Sequence, residues 1–147
     1  MSSKELTIYE CGAMTAFYLQ NRYEDATKWR EYVKEYFKES HIKVFDPTYN
    51  SLKHFKHPDE YSNGVILQNY TYIKDCEIIL VNLDLLEDSI GSVWEISMAW
   101  INHKTVIGFG CCLKWQDRPH FKSLISIRLD TIEDACEYIL SMYGQKI

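Results

Sequence analysis

The chain has 147 residues, and its 16 Lys and Arg against 21 Asp and Glu give a formal net charge of −5. Hydrophobic residues make up 46% and charged residues 25%, which is typical of a folded globular protein and excludes a disordered chain. The negative charge excludes a nucleic-acid polymer or an anionic membrane as the main partner, because both repel an anion. The length predicts a single domain over residues 1–147.

The first residues contain no apolar stretch of the kind found in signal peptides, and the longest aliphatic run, residues 78–81, is far below the roughly 20 residues that span a bilayer. The five cysteines are odd in number and form no CxxC pair. We therefore expect reduced thiols in a cytoplasmic protein, with no metal and no cofactor. These cysteines are Cys11, Cys76, Cys111, Cys112 and Cys136.

The first third of the chain predicts two strands and one helix. Residues 6–10 form an apolar strand that leads into a glycine-containing turn at residues 11–14. Apolar side chains at a 3.6-residue spacing predict a helix over residues 22–39. A second strand over residues 42–45 ends at a proline.

The middle of the chain begins with a polar segment, residues 48–59, which we predict to be a long loop. It contains His54 and His57, which lack the Cys or carboxylate partners that a metal site needs. A helix follows over residues 61–74. The continuous apolar run over residues 77–83 is typical of a central parallel strand that is buried on both faces.

The last third predicts a helix over residues 93–103, strands at Thr105–Phe109 and residues 125–129, and a final helix with Thr131 as its N-cap. Alternating strands and helices predict an α/β fold with a doubly wound, five-stranded parallel sheet of the flavodoxin or Rossmann type.

Ligands of such sheets bind beyond the carboxyl ends of the strands, at the point where the strand order reverses. This rule selects four candidate segments as the site. They are the turn at residues 9–14, the loop after Phe45, residues 84–92, and the loop after Phe109.

Residues 84–95 form the densest polar cluster of the sequence. Gly91 and Ser92 fall where a helix begins, so their free N–H groups favour a phosphate or a ribose hydroxyl. Glu95, one turn further, is a carboxylate among apolar neighbours that can attack an electrophilic carbon or act as a base. Asp88 and Glu95 are equally typical of acids that stabilise the first turn of any helix.

Residues 7–14 (TIYECGAM) and 91–99 (GSVWEISMA) resemble the opening strand and the G[TS]xxEIGxA block of the nucleoside 2-deoxyribosyltransferase superfamily. Three further segments match the family in the same order, so the resemblance covers roughly residues 6–110. These segments are Asp46-Pro47, residues 73–79 (IKDCEII) and residues 104–107 (KTVI).

The resemblance implies that Glu95 is a nucleophile that attacks C1′ of a nucleoside, expels the base and forms a glycosyl–enzyme ester, which a second base or water resolves. It also implies that Tyr9, otherwise an ordinary strand tyrosine, orients Glu95, and that Asp88 binds the sugar hydroxyls. Further substrate contacts are implied for Gly12, Met14, Asn69, Ser89, Gly91 and Ser92.

The sequence departs from the family pattern at two positions. Asp88 lies seven residues before Glu95 rather than six, because Ile90 is inserted, so Ser89 is an alternative for the sugar-binding role. Asn69 stands where the family has an aspartate that protonates the departing base. An amide cannot act as a general acid and can only hydrogen-bond a base edge.

The second departure leaves two alternatives to base exchange open. The related nucleotide hydrolases cleave nucleoside 5′-monophosphates with water, and here Gly12, Ser92 and Arg22 would hold the phosphate, although Arg22 is also typical of a solvated surface. The other alternative is a non-catalytic nucleotide-binding module. The expected partners are a small nucleoside or nucleotide and a nucleobase, and the resemblance implies a homo-oligomer.

Overall fold

Five short strands and six helices make up the described part of the structure, a computed structural model that describes residues 5–50, 62–112, 114 and 117–144. The strands are β1 (Thr7–Cys11), β2 (Lys43–Phe45), β3 (Ile78–Asn82), β4 (Thr105–Phe109) and β5 (Ile127–Leu129). The helices are α1 (Thr15–Leu19), α2 (Tyr23–Phe37), α3 (Ser62–Asp75), α4 (Ile90–Ile101), α5 (Pro119–Leu124) and α6 (Ile132–Tyr143), with 3₁₀ turns at Pro47–Asn50 and Leu86–Asp88.

All strand pairings are parallel, and the strand order is β2-β1-β3-β4-β5. The chain runs from β1 outward to β2 and then returns to the other side of β1 to form β3, so the order reverses between β1 and β3. This is the predicted doubly wound, five-stranded sheet, and the fold class is confirmed. A ligand site is therefore expected at the carboxyl ends of β1 and β3.

Side chains of β1 alternate between the two apolar layers of the molecule. Ile8 packs in the layer that contains α2 and α6, whereas Tyr9 and Cys11 pack in the layer that contains α3 and α4. Glu10 faces the same side of the sheet as Ile8 and is fully buried. Every residue of β3 is buried, as the continuous apolar run predicts for a central strand.

The structure differs from the sequence predictions mainly in its short helices. The helices α1 and α5 were not predicted, because five or six residues are too few to show a helical period. Helix α4 begins at Ile90, three residues before the predicted start. The Ile90 side chain is 88% exposed, so it lies off the apolar face whose periodicity predicts the helix.

Two other predictions concern the ends of elements. Thr131 is confirmed as an N-cap, since its side chain accepts a hydrogen bond from the Asp134 amide at 3.1 Å. The predicted loop over residues 48–59 starts with a 3₁₀ turn, and His54 and His57 lie outside the described residues.

In the ranges that the structure describes, no helix has the length and hydropathy needed to cross a membrane.

Candidate active site

A cleft of about 290 Å³ lies at the carboxyl end of β1, where the turn into α1 faces the start of α4. It contains seven of the ten predicted site residues. The residues that line it are Gly12, Met14, Thr15, Ala16, Asp88, Ser89, Ile90, Gly91, Ser92 and Glu95. A larger cleft of about 620 Å³ lies between α4 and α5, and none of the predicted site residues lines it.

The turn after β1 requires glycine at position 12. A Cβ atom there would lie 3.0 Å from Cζ2 of Trp29 and 3.3 Å from Cβ of Asn82. The turn thus passes between α2 and the end of β3 without room for a side chain. This close passage brings the backbone of Gly12 to the cleft wall.

The start of α4 presents backbone N–H groups to the cleft. Ser89 occupies the N-cap position but does not cap, because its hydroxyl donates to Oγ of Ser92 at 2.7 Å. The amides of the first turn have no partner within the helix, and they combine with the helix dipole to favour an anion. Cys11 ties this turn to β1 by donating from Sγ to the Ser92 carbonyl at 3.6 Å.

Glu95 lines the cleft, and Tyr9, which does not line it, lies next to the Glu95 carboxyl. Oε2 of Glu95 and the hydroxyl oxygen of Tyr9 are both buried without a hydrogen-bonding partner. The tyrosine hydroxyl lies close enough to affect the pKa of Glu95, although the two groups do not meet the usual limits of hydrogen-bond geometry. Buried polar atoms without partners are rare in folded proteins, so this pair retains hydrogen-bonding capacity for a ligand.

The two groups differ in their protonation at neutral pH. Burial raises the pKa of Glu95 to about 7, while the Tyr9 hydroxyl and the charge of Arg30 act in the opposite direction. Burial, together with the negative charge of Glu95, raises the pKa of Tyr9 well above its ordinary value. Tyr9 therefore keeps its proton, and Glu95 is the group that changes charge near pH 7.

A buried cluster of charged groups lies behind the turn. Arg30 donates to the backbone carbonyls of Glu10 at 3.3 Å and Gly12 at 3.2 Å, and to Oδ1 of Asp46 at 3.2 Å. Lys34 donates to the other oxygen of Asp46 at 2.9 Å. The hydrogen bonds from Thr48 and Lys34 and the charge of Arg30 outweigh burial and lower the pKa of Asp46.

Arg30, Glu10 and Asp46 are not among the site residues that the sequence predicts. A usable signal was present for Arg30, which precedes Val33 by three residues and Phe37 by seven and so lies in register with the apolar stripe of the helix. A cation on a buried helix face needs a buried partner. For Glu10 the local sequence carries no such signal, because an acidic residue at this position of a strand could equally face solvent.

Arg22, one of the predicted phosphate-binding residues, lines a neighbouring cleft of about 280 Å³ with Asp84 and Glu87 instead. Its Nε donates to Asp25 at 2.7 Å, so the structure does not bring Arg22 together with Glu95. The 3₁₀ turn Leu86–Asp88 contributes to both clefts, since Glu87 lines one and Asp88 the other.

Asn69 lies on α3 and does not line the cleft around Glu95, but its Oδ1 is buried without a hydrogen-bonding partner. Asp88 does line this cleft and forms a partly exposed ion pair with Lys114 at 3.3 Å. Within the described ranges, no three His, Cys, Asp or Glu side chains are grouped so that they can bind a metal ion.

Comparison with known families gives a match to the model described as "Nucleoside 2-deoxyribosyltransferase" over residues 17–116, about two thirds of the chain. The matched range includes Glu95 and begins after β1, so it leaves out Tyr9 and Gly12. None of the curated proteins matches the sequence.

Three solved structures are similar to the chain. A conserved protein from Enterococcus faecalis V583 is 17% identical, with a TM-score of 0.69 over 92% of this chain and 98% of its own. A 2-deoxyribosyltransferase from Bacillus psychrosaccharolyticus is 19% identical, with a TM-score of 0.71 over 95% and 97%. A CMP N-glycosidase from Clostridium botulinum is 17% identical, with a TM-score of 0.59 over 93% and 98%. At these identities the likeness shows a common fold.

The raised pKa of Glu95 predicts a pH-dependent effect of Glu95→Gln on stability. As the pH rises from the ordinary value of 4.5 to about 7, the unfolded chain ionises this carboxyl while the folded chain keeps it protonated, so the cost to folding grows and then levels off. Because glutamine carries no charge, Glu95→Gln should raise Tm at pH 8 by roughly 3 °C or more, and by less at pH 5.

Thermal unfolding of both proteins at the two pH values measures this difference. The matched control is Glu137→Gln, which removes a carboxylate from the exposed face of α6 and should leave Tm nearly unchanged at both values. An equal effect of Glu95→Gln at pH 5 and pH 8 would contradict the buried, destabilised carboxylate.

Proposed function

The chain belongs to the nucleoside 2-deoxyribosyltransferase family, and from this membership we propose that it breaks the N-glycosidic bond of a deoxynucleoside with Glu95 as the nucleophile. The family and the structural neighbours support N-deoxyribosyl transfer or nucleotide N-glycosidase activity in general. One observation carries the assignment to Glu95. Glu95 lines the cleft, and its Oε2 and the neighbouring Tyr9 hydroxyl are both buried and unpartnered.

In the proposed reaction a carboxylate oxygen of Glu95 bonds to C1′ as the C1′–N bond breaks, and the electron pair of that bond leaves with the base. The departed base takes up a proton. A nitrogen of a second base then attacks C1′ and gives up its proton, while the ester bond to C1′ breaks and restores the carboxylate. The transition state has oxocarbenium character, so a nearby negative charge stabilises it. The low polarity that raises the pKa of Glu95 also strengthens this interaction.

Tyr9 keeps its proton and can donate it in a hydrogen bond to one oxygen of Glu95, which leaves the other oxygen directed at the sugar. Such bonds are often poorly aligned before substrate binds. We assign the binding of the sugar hydroxyls to Asp88 or Ser89, which both line the cleft. Asn69, with its unpartnered Oδ1, is assigned to the edge of the base rather than to proton transfer.

We expect Glu95→Ala to lower kcat on the order of 10⁴-fold or more, because the nucleophile is lost. Tyr9→Phe should lower it by at least about tenfold, since the carboxylate loses its orienting group.

The kcat/KM of the unaltered protein should rise with pH through an apparent pKa of about 7, because only ionised Glu95 attacks.

The assay incubates deoxynucleosides with a second free base and follows the exchanged products by chromatography. Asp134→Ala, an exposed acid on α6, is the matched control for loss of a carboxylate and should keep the activity. Equal rates for Glu95→Ala and the unaltered protein would eliminate Glu95 as the nucleophile.

A second candidate function, hydrolysis of nucleoside 5′-monophosphates, is favoured by the uncapped start of α4. Because the Ser89 hydroxyl is directed to Ser92 and not to the helix amides, these amides remain available to a phosphate. Arg22 does not support this candidate, since it lies in the neighbouring cleft.

The two activities differ in their need for an acceptor and for a phosphate. For base exchange, turnover of a deoxynucleoside should require the second base and should be insensitive to millimolar inorganic phosphate. Hydrolysis predicts the opposite, with deoxynucleoside 5′-monophosphates cleaved without an acceptor and with competition by inorganic phosphate. Binding measured by calorimetry without product from either substrate would leave a nucleotide-binding module.

We also propose that the protein is a homo-oligomer that associates through α3 and α4. These neighbouring helices expose large apolar side chains on one side of the sheet, an arrangement typical of an interface. The rings of Tyr70 and Trp94 pack edge to face at 6.4 Å and continue the same surface. The exposed apolar side chains are Ile66, Leu67, Trp100 and Ile101.

Leu67→Glu should therefore lower the molar mass in solution, because it buries a charge in the interface. Light scattering after size exclusion measures the mass. Met142→Glu introduces the same charge at an exposed apolar position of α6, on the other side of the sheet, and should leave the mass unchanged. A monomeric mass for the unaltered protein would refute the proposal.

A further inference from the structure

Arg30 lies on α2, outside the cleft, and is 2% exposed. Its guanidinium group packs over the ring of Trp29 at 4.6 Å and donates to three groups at the edge of the sheet. Two of them are backbone carbonyls, of Glu10 at the end of β1 and of Gly12 in the turn, and the third is the carboxylate of Asp46 just after β2. One planar, rigid side chain therefore joins two strand ends and the turn between β1 and α1.

The turn held by Arg30 forms one wall of the candidate active site. Gly12 lines the cleft, and a Cβ atom added at this position would lie within 3.3 Å of Trp29 and Asn82, so the turn passes close to both residues. The carbonyl of Gly12 would lose its partner without Arg30. A change of this bond would thus be transmitted to the wall that faces Glu95.

The charge of Arg30 lies in a cluster whose second cation, Lys34, also pairs with Glu31 at 3.1 Å. Asp46 is the carboxylate nearest to Arg30 and is shared with Lys34. The Glu10 carboxyl lies 4.0 Å from Arg30, and its burial, together with the charge of Asp46, raises its pKa to about 9, so that it is neutral at pH 7. In a poorly polar interior, the charge of Arg30 acts over a longer distance than in water.

We propose that Arg30 is a positioning residue of the active site, which fixes the turn between β1 and α1 through the Glu10 and Gly12 carbonyls and supplies a buried positive charge from the opposite face of the sheet. This inference rests on the proposed role of Glu95. It adds to the site a residue that does not touch the substrate and that acts through the turn and through the carboxylate.

The other titratable groups around Glu95 do not supply such a charge. From β1 come Tyr9 and Cys11, whose pKa values are raised by burial and by the negative charge of Glu95. Asp88 adds a carboxylate from the turn before α4, and β4 contains no ionisable residue. In the neighbouring helices, Lys74 of α3 lies over the Tyr70 ring at 4.7 Å, and His120 of α5 lines the separate 620 Å³ cleft.

Arg30→Met and Arg30→Lys separate the two parts of the proposal. Methionine removes the charge and the donors, so Glu95 loses a cation that favours its ionised form. The apparent pKa of the kcat/KM profile should therefore increase by at least about 0.5 unit. Lysine keeps the charge but not the planar guanidinium group. The apparent pKa of the kcat/KM profile should therefore stay unchanged, while kcat falls about tenfold at every pH. Lys28→Met, an exposed cation on the same helix, is the matched control and should change neither.

A second measurement does not depend on turnover. The gain in Tm from Glu95→Gln is measured against pH in the unaltered background and in the Arg30→Met background. With Arg30 removed, the gain should continue to grow to a higher pH before it levels off. If no substrate is turned over by any variant, the proposed function fails, and this comparison still decides the role of Arg30.

An unchanged pH dependence in Arg30→Met, in both measurements, overturns the electrostatic part of the proposal. If Arg30→Met does not fold, Arg30→Lys decides: a fall in kcat with an unshifted pH profile supports the proposal, and a kcat equal to that of the unaltered protein overturns it. A fall in kcat with a shifted profile overturns the electrostatic part of the proposal, because lysine keeps the positive charge.

Discussion

A carboxyl oxygen that is buried without a hydrogen-bonding partner is the constraint on which the candidate site depends. Glu95 extends from α4 toward Tyr9 of β1, and burial raises the pKa of Glu95 to about 7. The surrounding fold must stabilise this costly arrangement by other means. The central strand β3 is buried throughout, and two apolar layers enclose the sheet. The stability of these layers lets the edge keep unsatisfied groups that a ligand can use.

The site combines two kinds of element that are needed for different reasons. The start of α4 supplies N–H groups, hydroxyls and the carboxylate on a rigid helix, whereas the turn after β1 supplies a wall without side-chain bulk at Gly12. Arg30 connects this wall to β2 from the opposite face of the sheet. The two faces of the sheet therefore contribute different groups, with the proposed reacting groups on one and the buried charge of Arg30 on the other.

Much of the fold could be predicted from the sequence, because apolar periodicity reports directly on buried faces. The strand Thr105–Phe109 and the N-cap Thr131 agree with the structure to the residue. The start of α4 and the short helices α1 and α5 could not be predicted, since exposed or very short turns carry no periodic signal. The position of Arg22 in another cleft depends on tertiary packing, which local sequence does not encode, although its i,i+3 pair with Asp25 is local.

For the candidate site, chain order and strand topology were enough to bring the turn after β1 to the start of α4, where most of the expected residues line one cleft. They were not enough for Arg30, Glu10 and Asp46, which become partners only through long-range packing. Whether the assigned roles of Glu95 and Tyr9 are correct stays a prediction, because their chemistry requires a substrate.

The alternation of side chains along β1 has a consequence for how this protein can vary. Tyr9 and Glu10 are neighbours in the chain but face opposite layers, and β1 is paired on both sides, with β2 and β3. An insertion or deletion of one residue within this strand would exchange the two, placing a phenol beside Arg30 and an acid beside Glu95. Two fixed neighbouring strands resist such a slip, so the spacing of β1 is constrained more tightly than the identity of its residues.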